Sequence, residues 1–251
     1  MKRMKMNKPN GYIIWEGVSQ LDGKTPVVLI ATGFKNNTQN PKTGNMIQTW
    51  IICRDTHPSE AINNGEDKGI CGDCPHRKID GKRSCYVNQM SIASVYRAYK
   101  AGKYSSDFSP SLLIDRKLRV GSYGEPTAVP LDIWKELLYY VSSHTGYTHQ
   151  WLRFPEFAGI CMASVDSKAQ QVVAESLGWR TFRVTVPQEE LSDSEIRCPN
   201  EVNSDIQCSR CRLCEGNEHR SARSIAITVH GVGAKHYVQA VVTTGGTESG
   251  V

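Results

Sequence analysis

Ile160-Cys-Met-Ala-Ser-Val165, Asp166-Ser167, Lys168-Ala-Gln-Gln-Val-Val-Ala-Glu-Ser-Leu177, Gly178 and Trp179-Arg-Thr-Phe-Arg-Val-Thr-Val186 read in turn as strand, cap, helix, stop and strand. A short apolar run bounded by polar residues suits a buried strand. Asp166 or Ser167 offers an oxygen to cap the helix start, and Gly178 can take the turn that ends it. Two strands joined by such a crossover lie parallel. The same alternation extends to both sides. Lys117–Gly121 is a short strand, and Leu131, Trp134, Leu138 and Val141 mark an amphipathic helix with Pro130 near its first turn. Gly146–Trp151 and Ser224–Val229 supply further strands. Repeated βα units predict a parallel sheet, open or curled into a barrel.

Ahead of residue 57 the pattern differs. Gly11–Gly17, Pro26–Phe34 and Met46–Cys53 are rich in β-branched and aromatic residues, and turn-forming segments separate them. These predict an antiparallel β meander. Short helices are expected around Pro58–Ile62 and over Ser91–Tyr99, the latter with Ile92, Val95, Tyr96 and Tyr99 on one face. The organisation expected is a meander over 1–56, a βα part over 57–242 and a flexible Gly/Ser/Thr-rich tail over 243–251.

Composition excludes several classes. The chain has 251 residues, 39% hydrophobic and 22% charged, ordinary values for a globular protein. No run of about 18 apolar residues is present, so no membrane span is expected. The basic start, Met1 to Lys8, lacks an apolar segment behind it, so it does not read as a secretory signal. The cysteines are then expected to face a reducing cytosol, where clustered thiols hold metal more often than disulfides. The net charge of +5 suits an anionic partner or an ordinary solvated surface.

Seven of the nine cysteines fall into two groups, Cys71, Cys74 and Cys85, then Cys198, Cys208, Cys211 and Cys214. The second group reads C-P-x8-C-x2-C-x2-C. A tight three-cysteine run wraps three corners of a cubane, and a remote Cys-Pro supplies the fourth, as in bacterial ferredoxins, where the Cys-Pro comes last. The alternative is a structural four-cysteine zinc site, but such sites use two separated C-x2-C pairs, so the spacing favours [4Fe–4S]. The first group supplies three thiolates. These hold either a [4Fe–4S] cluster with one iron open to a chelating ligand such as S-adenosylmethionine, or zinc with His76 as fourth ligand. The C-x3-C-x2-C spacing usual for radical S-adenosylmethionine (radical SAM) enzymes is absent. Cys53 and Cys161 sit in apolar runs and read as core residues. His57-Pro-Ser-Glu60 and Cys71-Gly-Asp-Cys74 miss the zinc-deaminase pattern by one residue in the first motif and by the proline in the second.

In a βα barrel the chemistry gathers at the carboxyl ends of the strands. Tyr147, Thr148, His149 and Asp166 are the candidate catalytic residues there, with His149 as a general base or ligand. Asp166 is also a plausible helix cap. Arg119, Ser122, Ser164 and Arg183 are the candidate cofactor-binding residues, the arginines suiting a carboxylate or phosphate. No P-loop, dinucleotide glycine motif, nucleophile elbow or kinase set occurs.

Gly11-Tyr-Ile-Ile-Trp-Glu-Gly, Met46-Ile-Gln-Thr-Trp, Ile70-Cys-Gly-Asp-Cys-Pro-His-Arg, Cys85-Tyr-Val-Asn, Tyr96-Arg-Ala-Tyr-Lys, Gly146-Tyr-Thr-His-Gln-Trp, Met162-Ala-Ser-Val-Asp and Gly178-Trp-Arg-Thr-Phe-Arg-Val resemble a cysteine-rich family of uncharacterised bacteriophage and prophage proteins over most of the chain. The chain is also distantly similar to the mycobacteriophage "gene product 88" family, which pairs an early cysteine group ending in Cys-Tyr with a terminal Cys-Pro and cysteine run. The resemblance implies a phage origin, a place in the cytoplasm of the infected host, and an α/β fold with a parallel βα partial barrel, radical-SAM-like or TIM-like. It implies no particular reaction. Three functions compete: a cluster-dependent enzyme on an unknown substrate, a nucleic-acid-binding phage protein with structural zinc, and a virion or accessory interaction protein. Tyr86, Tyr96 and Tyr99 are the candidate base-stacking residues of the second.

Overall fold

The computed structural model describes residues 9–36, 40–219, 222–231 and 233–238. The basic start and the expected tail lie outside these. Three strands open the chain: β1 (Gly11–Val18), β2 (Pro26–Thr32) and β3 (Ile47–Cys53). They pair antiparallel as the meander reading predicts. A helical segment follows, α1 (Pro58–Asn64) and α2 (Lys68–Cys71), then a small hairpin, β4 (Lys78–Ile79) and β5 (Lys82–Arg83), then α3 (Gln89–Lys100). The βα part consists of β6 (Lys117–Tyr123), α4 (Leu131–Tyr140), β7 (Ser143–Thr148), β8 (Met162–Val165), α5 (Lys168–Ser176), β9 (Thr181–Thr185), β10 (Glu195–Arg197), α6 (Pro199–Val202), α7 (Cys208–Cys211) and β11 (Ser224–Thr228).

All strands except the β4–β5 hairpin join one nine-stranded sheet, in the order β1-β2-β3-β6-β7-β8-β9-β11-β10. From β3 onward every pairing is parallel. The sheet therefore crosses the expected boundary at residue 56: β3 is both the last strand of the meander and the first of the parallel series. The fold is mixed α/β, with β1 and β10 at the two ends of the strand order.

Local chemistry explains the elements. Ser167 caps α5, its hydroxyl accepting from the Gln170 amide at 3.2 Å, and Gly178 follows the helix with φ of 83°. Asn88 caps α3 through the Met90 amide at 2.8 Å, and Ile92, Val95 and Tyr96 form its buried stripe. Trp134 on α4 is fully buried and donates its indole N–H to the Pro126 carbonyl at 2.8 Å. Leu29, Ile30, Ile51 and Ile52 are fully enclosed between β2 and β3 and their covering helices, and each contributes about 1.5–3 kcal/mol by leaving water. Cys53 and Cys161 are buried in this core.

Strand alternation gives the parallel sheet two unlike faces. Leu118, Val120, Ala163 and Val165 point into the main core. Arg119, Tyr147, Ser164 and Phe182 point to the other face, which opens on a cavity.

Candidate metal centre

The cavity holds about 450 Å³, and all seven clustered cysteines line it. A void of this size is in the range of small-molecule sites. One wall is the sheet face that carries Arg119, Tyr147, Ser164 and Phe182. The other walls are the two cysteine segments.

The first segment reaches the cavity through two turns. Cys71 ends α2, and Gly72 (φ of 56°) turns the chain under the Gln150 side chain. The ten residues between Cys74 and Cys85 fold back as the β4–β5 hairpin, around Asp80 and Gly81, both with positive φ. The Cys85 amide then donates to the His76 carbonyl at 3.0 Å, closing the loop. In the second segment, Cys198 precedes α6 and its amide donates to the Ala226 carbonyl of β11 at 2.8 Å. Cys208 opens α7, its amide bonded to the Lys42 carbonyl at 2.8 Å. Arg212, with φ of 61°, reverses the chain so that Cys214 returns to β7, where its carbonyl accepts from the Gly146 amide at 3.1 Å.

The thiols sense one another within each group. Burial pushes Cys71 well above the ordinary thiol range, and Cys74 and Cys85 push it further. Burial likewise raises Cys214, with Cys208, Cys198 and Cys211 adding repulsion against a hydrogen bond from Tyr147. Cys85, Cys208 and Cys211 are also raised by burial, moderated by nearby Arg83 and the Val87 amide, by Arg119, and by the Leu213 amide respectively. Thiols crowded and desolvated in this way become thiolates when a cation binds.

A second cluster of ionisable groups sits beside the first cysteine segment, at the carboxyl ends of three adjacent strands. Glu125 follows β6, His149 follows β7 and Asp166 follows β8. Glu125 is buried and accepts from the Thr148 hydroxyl at 2.7 Å and the His149 amide at 3.1 Å, with His149 Nδ1 at 3.3 Å. His76 places Nδ1 2.8 Å from Ser84 Oγ and Nε2 2.9 Å from Asp166 Oδ1. His149 Nε2 lies 3.7 Å from Asp166 Oδ2. The ligand atoms of Cys74, Glu125 and His149 lie within 4.8 Å of one another, as do those of His76, His149 and Asp166. Burial pulls His149 down, but Cys74 and Glu125 outweigh it and hold its pKa well above the ordinary value. Burial raises Asp166, and the His76 hydrogen bond and both imidazoles more than offset this, leaving the carboxyl below its usual range.

Most sequence-predicted residues converge here. Tyr147, His149, Arg119, Ser122, Ser164 and His76 all line the cavity with the cysteines. Tyr147 stays protonated, its phenol raised by burial and by Cys214 and Cys208, and its O–H is hydrogen-bonded to Cys214. Ser122 donates to Gln48 Oε1 at 2.9 Å. Arg119 donates to the Tyr86 hydroxyl at 2.6 Å, while its Nε is buried with no partner. Thr148 is buried beside the cluster and donates its hydroxyl to Glu125. Asp166 leaves the capping role to Ser167, which frees its carboxylate for the two histidines.

Arg183 differs from the expectation. Strand alternation sends it to the face opposite Phe182 and Val184, where it is fully buried against Glu189 and Glu195. Its guanidinium joins β9 to β10 and takes no place in the cavity wall. The strand expected over Gly146–Trp151 runs instead over Ser143–Thr148, because Ser143 pairs with Lys117 and Thr148 Oγ1 captures the Gln150 amide in a turn. Glu125 was missed by sequence reasoning; its signal is a carboxylate directly after a parallel strand, in Tyr123-Gly124-Glu125-Pro126. Of the stacking candidates, Tyr96 is buried and Tyr99 donates to Glu16 at 2.6 Å, while Tyr86 is half-exposed at the cavity mouth. No helix among the described residues is long and apolar enough to cross a membrane. Among protein-family models, curated proteins and solved structures, nothing matches the chain.

Proposed function

We propose that the chain is a phage-encoded, radical-SAM-like iron–sulfur protein acting on an unidentified substrate in the cytoplasm of the infected host. The observation that carries this reading is the convergence of all seven clustered cysteines on one cavity facing a parallel sheet. The phage assignment is carried by the sequence resemblance. Five parallel strands, β3, β6, β7, β8 and β9, are neighbours in the order in which the chain supplies them to this sheet, and β11 then inserts between β9 and β10; the first five have the order a partial barrel needs.

The donor set fits clusters. The seven thiols divide into a group of three and a group of four around one cavity, ligand counts that suit an open-cornered and a fully ligated cubane. Cys198, Cys208, Cys211 and Cys214 would hold one [4Fe–4S] cluster with every corner ligated. Cys71, Cys74 and Cys85 would hold another with one corner open to S-adenosylmethionine. When bound, such an open-cornered cluster supplies one-electron reduction of a chelated sulfonium. His76 is engaged by Ser84 and Asp166, which supports an open corner over a fourth protein ligand.

The chain's own groups do the rest. Backbone amides of Val87 and Leu213 and the Tyr147 hydroxyl bond sulfurs of the two groups, contacts that tune cluster potential. Arg119 and Ser164 offer donors to a carboxylate or hydroxyl of a bound ligand, and Ser122, whose hydrogen goes to Gln48, offers a lone pair. His149, between Glu125 and Asp166, is the group placed to give or take a proton at the cavity wall. The test is anaerobic reconstitution followed by electron paramagnetic resonance with and without S-adenosylmethionine. The expected result is a shift in one of two cluster signals, the one that Cys85→Ser removes and Cys211→Ser leaves. Two signals that both ignore S-adenosylmethionine would remove the enzyme reading.

One observation favours a second reading. Cys74, Glu125 and His149 stand close enough to hold one zinc. The first site would then be a structural staple, and the protein a binding module for nucleic acid or another phage component.

A further inference from the structure

We infer that His76, His149 and Asp166 form a site for a single divalent transition metal ion, beside the first cysteine group but using none of its thiols. Two imidazoles and one carboxylate are a recurring ligand set for Fe²⁺, Mn²⁺ and Zn²⁺, leaving coordination positions for water or substrate. Here the three ligand atoms lie within 4.8 Å of one another. They come from three different parts of the chain: the first cysteine loop, the end of β7 and the end of β8.

The surroundings of the two histidines carry the argument beyond proximity. A metal-binding histidine characteristically gives its other ring nitrogen to a carboxylate, carbonyl or similar acceptor, which fixes the ring and its tautomer. Both rings have this arrangement. His76 Nδ1 is held by Ser84 Oγ at 2.8 Å. His149 Nδ1 faces Glu125 Oε1 at 3.3 Å, and Glu125 is itself fixed by the Thr148 hydroxyl. This leaves the two Nε2 atoms, and both are directed at Asp166, at 2.9 and 3.7 Å from its two oxygens. His149 Nε2 is buried with no hydrogen-bond partner, an unsatisfied polar atom that a folded protein ordinarily avoids. A cation between the three groups satisfies it. The side chains of His76, His149 and Asp166 are only 14%, 17% and 17% exposed, so the site is built into the wall and differs from a solvated surface cluster. The Tyr237 ring leans on His76 at 5.4 Å, and its hydroxyl donates to the Val184 carbonyl at 2.9 Å, closing the outer side.

His149 also belongs to the Cys74–Glu125–His149 grouping, so the probe has to be an ion that thiolate does not attract. Mn²⁺ is therefore the probe, because it prefers imidazole and carboxylate oxygen while thiolates take softer ions. Full-length protein, as purified without oxygen, is titrated with Mn²⁺ while the six-line resonance of the free ion is followed. The expected result is uptake of one ion per chain. Asp166→Asn and His76→Gln should each weaken uptake by more than about 10-fold, and Ser84→Ala by about 10-fold, the loss typical of an outer partner. His57→Gln, at the start of α1, should leave uptake unchanged. A second measurement needs no variant: in the wild-type protein Mn²⁺ should broaden the ring signals of His76 and His149 before those of the other histidines. Absence of stoichiometric uptake, equal uptake by Asp166→Asn and His76→Gln, or broadening centred on other histidines would each overturn the assignment. A colourless protein that still takes up Mn²⁺ in this way would overturn the iron–sulfur reading and leave this one standing.

Discussion

At the residue scale, glycines with positive φ decide whether the site can assemble. Gly124 (φ of 82°) turns the chain after β6 so that Glu125 enters the cavity wall, with the Glu125 amide bonded to the Ile70 carbonyl at 2.6 Å. A Cβ there would stand 2.7 Å from both the Ile51 Cβ and the Ile51 carbonyl oxygen. Gly65 after α1 has a similar φ of 86° but nothing within 4 Å of a Cβ. Gly65→Ala should therefore lose only the conformational term, about 1 kcal/mol. Gly124→Ala adds a clash with β3 and should lose roughly 3 kcal/mol or more. Urea unfolding of the two variants checks this; equal losses would mean that Ile51 yields easily. Individual site residues were legible to differing degrees. The cysteines announce themselves by spacing, and His149 by its place after a strand. Glu125 has only its place after β6 as a signal, its partner His149 lying 24 residues on, and Ser84 has none, because the β4–β5 hairpin that folds it back on His76, eight residues earlier, is itself hidden in a polar loop.

At the element scale, alternation along strands separates what the sequence disclosed from what it hid. The βαβ unit over 160–186 was readable because apolar period, cap and stop agree. The face presented by Arg183 was not, because both faces of β9 carry polar or aromatic residues and the deciding partner, Glu195, lies on β10, a three-residue edge strand too short to recognise by period. The β4–β5 hairpin was likewise hidden in a polar loop, although Asp80-Gly81 is its signal. The Arg183–Glu195 pair has a measurable consequence. Burial raises the Glu195 carboxyl, but its bonds to Arg183 and Ser192 outweigh this and leave its pKa lowered from 4.5. A depressed carboxylate stabilises the fold above its ordinary pKa, and that contribution is lost as pH falls through the folded-state value. Glu195→Gln should thus cost about 3 kcal/mol at neutral pH, as breaking a buried pair does. The gap from wild type should narrow in acid, below 4.5. Chemical unfolding at several pH values measures it, and a gap that stays constant into acid would show that the pair contributes no charge interaction.

At the scale of the whole molecule, the antiparallel meander and the parallel series make one sheet, and the cysteine segments face one side of it across a single cavity. Strand type and helix crossovers were legible well before the structure, as was the existence of two thiol groups. That both groups meet at one cavity was not, since 112 residues lie between Cys85 and Cys198 in the chain and only the parallel strand order brings them together. At this scale the proposed content of the cavity is iron and sulfide. It is tested most directly by counting iron, acid-labile sulfide and zinc in full-length protein purified without oxygen, alongside its visible absorbance. The prediction is a brown protein with roughly eight iron and eight sulfide per chain, the content of two cubanes, falling by about half in Cys85→Ser. A colourless protein with about two zinc per chain and no sulfide would contradict it.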